Sequence, residues 1–157
     1  SPDALFSLGN TYLKLAKFDE AIDAYQEAFQ MEATFWPALN NVGLVEYEKG
    51  DRNEAISRWE SVIKVDGKQA EPKLALAVAL FAEGEVDEAI KLGKAALKLD
   101  GRYADIKFLQ ENLWGEQLIK DTREFLNNPQ IKKIVSNIEP SNGEKLPGEN
   151  QGVPIPQ

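Results

Sequence analysis

The sequence predicts an all-α fold: a right-handed solenoid of three helical hairpins closed by a C-terminal helical cap. Three observations carry that reading. The phrases "DEAIDAYQEAFQ", "NEAISRWESVIK" and "DEAIKLGKAALK" follow one another along the 157 residues, and they place Ala21, Ala55 and Ala89 at a constant spacing of 34. A period of that size marks stacked units, because one unit cannot bury its apolar face alone. Apolar residues recur at helical spacing twice within each period, and no strand-like alternation interrupts them.

The first unit is assigned to residues 2–35. Leu5, Leu8, Tyr12 and Leu15 define one helical face, "KFD" breaks it, and Ile22, Tyr25 and Phe29 define a second. The second unit, 36–69, repeats the plan with Ile56, Trp59 and Ile63 on its second helix. The third, 70–101, does so with Ile90 and Leu97. Other positions keep the same register: Gly9, Gly43 and Ala77; Leu13, Tyr47 and Phe81; Asp19, Asn53 and Asp87. Gly50 and Gly84 stand where a helix ends on a residue at positive φ. Asp19, Asn53 and Asp87 are expected to cap the helices that follow. Small residues such as Gly9 and Ala21 let paired helices approach, so a large residue at such an alanine should overpack by about 1–3 kcal/mol.

The register fails after residue 101. The stretch "RYADIKFLQENLW" carries Ile106, Leu109 and Leu113 on one face, but Arg123 stands 34 residues after Ala89, where a close helix contact needs a small residue. Residues 103–114 and 116–127 are therefore read as a degenerate fourth pair that caps the stack, within a terminal segment 102–138. "NNPQIKKIVSNI" predicts a short helix capped by Asn128 with Pro129 in its first turn. Residues 139–157 hold seven Pro or Gly in nineteen and predict an extended or disordered tail. Its apolar end, "GVPIPQ", is expected to lie in a groove of its own or a neighbouring chain, so a homo-oligomer through tail or groove is anticipated.

Composition narrows the function. A net charge of −8 and a pI near 4.7 oppose nucleic-acid binding, which needs clustered Lys and Arg. The absence of Cys and His removes thiolate metal sites and the commonest general base. No phosphate loop or calcium loop is present. Glu46, Glu48, Glu83, Glu85, Asp87 and Glu88 read as solvated turns and helix starts that suit the macrodipole. The expectation is a chain without catalysis, cofactor or metal. No apolar run reaches the roughly 20 residues of a membrane span. The chain starts at Ser1, so an upstream anchor or domain is compatible with it. A cytoplasmic location is expected, with membrane attachment only through a partner or such a segment. Trp59 and Trp114 are assigned to the core, and Trp36 to the packing between repeats.

The residues in register resemble the tetratricopeptide repeat. Copy one reads "LFSLGNTY" before Ala21, Tyr25 and Ala28. Copy two reads "LNNVGLVEY" before Ala55, Trp59 and Val62. Copy three departs, with Ala77 for the glycine and Gly93 for the aromatic. The proline of the family pattern is replaced by Ala33, Gly67 and Gly101. The resemblance covers about residues 2–101. It implies a protein-binding scaffold, assembly or chaperone-type factor whose first helices line a concave groove. The alternative it implies is the targeting module of a larger enzyme or membrane-anchored protein. The segment "ENLWGEQLIKDTREFLNNPQI" also resembles proteins of this family that assist photosystem assembly in cyanobacteria and plastids.

Carried over residue by residue, the groove would be lined by Phe6, Asn10 and Leu13, then Asn40, Leu44 and Tyr47, then Leu74, Val78 and Phe81. Leu44, Tyr47 and Phe81 are the expected anchors. One subfamily clamps a C-terminal carboxylate with Lys, Arg and Asn. Asn10 and Asn41 match its asparagines, but Phe6, Glu71 and Ala75 stand at its basic positions. The charge that mode requires is missing. The expected partner is instead an amphipathic helix or an extended protein segment.

Overall fold

The computed structural model describes residues 1–138. It is a series of helices: α1 (Pro2–Lys14), α2 (Phe18–Met31), α3 (Trp36–Glu48), α4 (Arg52–Val65), α5 (Ala70–Ala82) and α6 (Val86–Leu99), then a 3₁₀ turn (Gly101–Ala104), α7 (Ile106–Glu111), α8 (Glu116–Leu126) and α9 (Pro129–Ser136). Among the described residues there is no strand. No described helix is long and apolar enough to cross a membrane. The expected tail, and with it the docking of "GVPIPQ", lies outside the described residues.

Helices α1 and α2, α3 and α4, and α5 and α6 form three hairpins, and α2 packs on α3 as α4 packs on α5. Ala21, Ala55 and Ala89 are fully buried in the three hairpins. The glycine in each of the first two copies makes room for a ring. A Cβ on Gly9 would stand 2.5 Å from Tyr25, and one on Gly43 2.8 Å from Trp59. Either position therefore excludes every larger residue unless the ring moves.

The turns between paired helices share one backbone conformation. Gly50 and Gly84 both adopt φ +91°, as expected, with open space around the position of a Cβ. Ala16, the equivalent residue of copy one, takes φ 57° without being glycine. The helix starts differ from the expectation. Asp19, Asn53 and Asp87 are not the caps: the caps are Lys17, Asp51 and Glu85, and none makes a side-chain capping bond. The turn closes with fewer residues than the pattern implied. Asp19 and Asp87 consequently lie inside the first turn, where a negative charge favours the exposed amides of the helix start.

The cap also departs from two long helices. Residues 103–114 divide into the end of the 3₁₀ turn and the six-residue α7, because Asp105 is extended between them, and Leu113 adopts φ 70° just past the end of α7. Helix α9 agrees with its prediction, since the Asn128 side chain accepts hydrogen bonds from the amides of Gln130 and Ile131. It packs on α6, whereas α8 turns back across α5 and α3.

Candidate functional site

The first helices α1, α3 and α5 present the face on which a partner was expected. Helix α8 divides it into two unlike ends.

At the C-terminal end the expected lining is covered. Leu44, Tyr47, Leu74 and Val78 are 0–2% exposed, and Phe81 is half-buried with its ring against Phe125 of α8 at 5.5 Å. Leu44, Tyr47, Leu74 and Val78, expected at a partner, are thus buried within the chain, and Phe81 is partly covered. Tyr47 and Phe81 meet α8, whose Leu118 and Phe125 are themselves fully buried. Polar bonds fix the helix in place. The Tyr47 hydroxyl donates to Asp121 at 2.5 Å. Arg52 lies over the Tyr47 ring and reaches both Glu83 and Asp121. The Glu48 carboxylate, at the end of α3, accepts from the amides of Gln117 and Leu118. That distant side chain replaces the missing cap at Gly115. Burial and the neighbouring Asp121 carboxylate push the Tyr47 hydroxyl well above its ordinary pKa.

At the N-terminal end the face stays open. Phe6, Asn10 and Leu13 are half-buried on α1, and Trp36 is half-buried at the start of α3. A cavity of about 220 Å³ lies between α1, α3, the start of α5 and residues 111–113. Its floor is one connected set of hydrogen bonds. The Tyr25 hydroxyl and the Asn41 amide nitrogen both donate to Asn10 Oδ1. The Asn40 amide nitrogen donates to Asn41 Oδ1 and to Glu71 Oε2. The Trp114 indole donates to the same Glu71 oxygen. One network thus joins all three hairpins and the cap.

Glu71 is the unusual member. It is 8% exposed and has no cationic partner in this network. Burial raises its carboxyl to about 7, while the Trp114 and Asn40 donors pull the other way. Burial likewise raises the Tyr25 hydroxyl to about 12. Asn40 is 1% exposed and lines the cavity, but its Oδ1 has no hydrogen-bond partner among the described residues.

Of the sequence-predicted lining, Phe6, Asn10 and Asn40 meet at this cavity, and Leu13 stays on α1 outside its walls. Sequence reasoning missed the contribution of Glu111, Asn112 and Leu113, which close one side. It also missed the pairing of Trp114 with Glu71. The available signal was Glu71 itself, a carboxylate at the start of a helix that is apolar apart from it and Lys73.

A tetratricopeptide repeat family model matches residues 2–35, and a second model of the same description matches residues 40–104. No curated protein matches the chain. Among solved structures, the crystal structure of MamA is 28% identical, over 66% of this chain and 61% of that one, with a TM-score of 0.60. This chain thus spans about three fifths of the length of that relative. The first TPR of Spaghetti (RPAP3), bound to the HSP90 peptide SRMEEVD, is 21% identical over 80% of this chain and 94% of that one, with a TM-score of 0.62. The Sgt2 TPR domain from Aspergillus fumigatus is 20% identical over 93% of this chain and 84% of that one, with a TM-score of 0.61. The last two likenesses are likenesses of fold.

Proposed function

This chain belongs to the tetratricopeptide repeat family, and from that premise we propose that it is a non-catalytic protein-interaction module, a scaffold or assembly factor. Its partner is a peptide or helix of another protein, held at the open end of the face formed by the first helices. The observation that carries this reading is the division of that face. Helix α8 occupies the part lined by Leu44, Tyr47 and Phe81, while Phe6, Asn10 and Trp36 leave an open, partly apolar cavity with a polar floor. An apolar wall with a few convergent polar groups is what a specific peptide site requires. A role in photosystem assembly is the narrower form of the proposal, motivated by the resemblance of the segment around Trp114.

The test is affinity capture from the native source with wild-type protein and a Phe6→Ala, Asn10→Ala variant that keeps its helical circular dichroism. The expected outcome is a partner retained by the first and lost by the second. Equal recovery by both places binding elsewhere on the molecule.

A further inference from the structure

We infer that the cavity between α1 and α3 receives a positively charged side chain, lysine or arginine, from the partner segment. This rests on the reading of the open end as a partner-binding site, and it adds the chemistry that site selects.

The argument is a count of donors and acceptors. Both protons of the Asn40 amide nitrogen are used, on Asn41 and Glu71. Both protons of the Asn41 amide nitrogen are used, on Asn10 and Tyr25. The Trp114 indole proton is used on Glu71. With Glu71 ionised, the atom of Asn40 that faces its Oε2 is the nitrogen, which sets the amide orientations. Two acceptors remain. Among the described residues, Asn40 Oδ1 is buried and without a hydrogen-bond partner, and Glu71 Oε1 makes no hydrogen bond. A buried acceptor without a partner is costly, and a carboxylate beside it makes a cation the donor of choice.

The surroundings agree. Lys14 and Glu111 stand exposed on the cavity's margin and oppose one another in charge, so Glu71 sets the sign inside. Phe6, Trp36 and Pro37 supply apolar walls that fit the methylene stem of a long cationic side chain. An aromatic face near the charge adds attraction. Burial raises the Glu71 carboxyl to about 7, and an arriving cation would keep it ionised.

The test follows the Trp114 indole and Asn40 side-chain amide signals by NMR in the full chain. The probes are Nα-acetyl-lysine methylamide, the same molecule acetylated on its ε-amine, and spermidine, each at millimolar concentration. The lysine probe is expected to move both signals and the acetylated probe to leave them in place. Glu71→Gln should weaken the lysine response about tenfold or more, the loss of one charge-assisted bond. Lys14→Glu, a change at an exposed residue that leaves the fold alone, should strengthen it about twofold or more. Equal response to the acetylated probe, an undiminished response in Glu71→Gln, or no response to any probe overturns the inference. Spermidine binding more than about tenfold tighter than the lysine probe overturns the assignment to a partner's side chain. A captured partner lost on Phe6→Ala but kept on Glu71→Gln leaves the binding face standing and removes the cation.

Discussion

Repeats two and three carry the same slots and fill them from different places. In repeat two, Trp59 of α4 sits beside Gly43 and meets the Tyr47 ring at 5.9 Å. The slot of Trp59 in repeat three is Gly93, and Phe81 holds the slot of Tyr47. No aromatic is missing from the packing, however. Phe125 of α8 enters beside Gly93, where a Cβ would collide with it, and its ring meets Phe81 edge-on. Repeat two fills its slot with its own ring, and repeat three borrows one from the cap. The same helix α8 lies over α5 and α3, which closes one end of the face formed by the first helices and leaves the end at α1 open. A degenerate repeat is here a socket for a later element.

The most damaging way to break this comparison is to empty the two slots in turn. Trp59→Ala and Phe125→Ala should each cost about 3–5 kcal/mol in urea unfolding, the usual penalty for truncating a buried aromatic. Their hydrogen-exchange patterns should differ. Loss of Trp59 should lower protection in α3 and α4, whereas loss of Phe125 should release α8 and α9 first and spare α1 and α2. Identical patterns would show that the slots are not independent. Gly93→Phe should be harmful in the wild type, where two rings would share one space, and partly restorative with Phe125→Ala. Additive costs in that double-mutant cycle would refute the shared slot.

A smaller effect separates the open end from the closed end through pH. In the folded chain the Glu71 carboxyl is raised from 4.5 to about 7. Between those values the folded state holds a proton that the unfolded state has lost, so stability falls as pH rises through that window. The fall attributable to Glu71 is on the order of 3 kcal/mol. Glu71→Gln keeps an acceptor for Asn40 and Trp114 without the charge, so its stability gain over wild type should grow from pH 5 to pH 8. A difference independent of pH would mean that Glu71 ionises freely in the fold.

The smallest effect compares the turns. Ala16→Gly should stabilise the chain by up to about 1 kcal/mol, because glycine carries no Cβ penalty at positive φ. Gly50→Ala, in open space, should destabilise by a similar amount. Thermal unfolding resolves both, and a null result for both would locate the turn's cost outside the backbone.

The sequence by itself determined the repeating part of this protein. The period of 34, the apolar faces of α1 to α6, the buried alanines and the positive φ at Gly50 and Gly84 all follow from residues close together in the chain. Helix period, glycine conformation and the Asn128 cap are local physics, so they are legible locally. The face formed by the first helices was only half legible. Phe6, Asn10 and Asn40 line the open cavity, while Leu44, Tyr47, Leu74 and Val78, expected at a partner, are buried within the chain, and Phe81 packs on Phe125 of α8. No periodicity distinguishes an apolar residue that awaits a partner from one covered by the same chain 74 residues later, as Tyr47 is by Asp121. Tertiary structure alone decided that Glu48 caps α8, that Phe125 fills the slot at Gly93, and that Glu71 lies buried against Trp114. Each joins residues far apart in sequence, and such contacts depend on where the cap turns back, which no local propensity records.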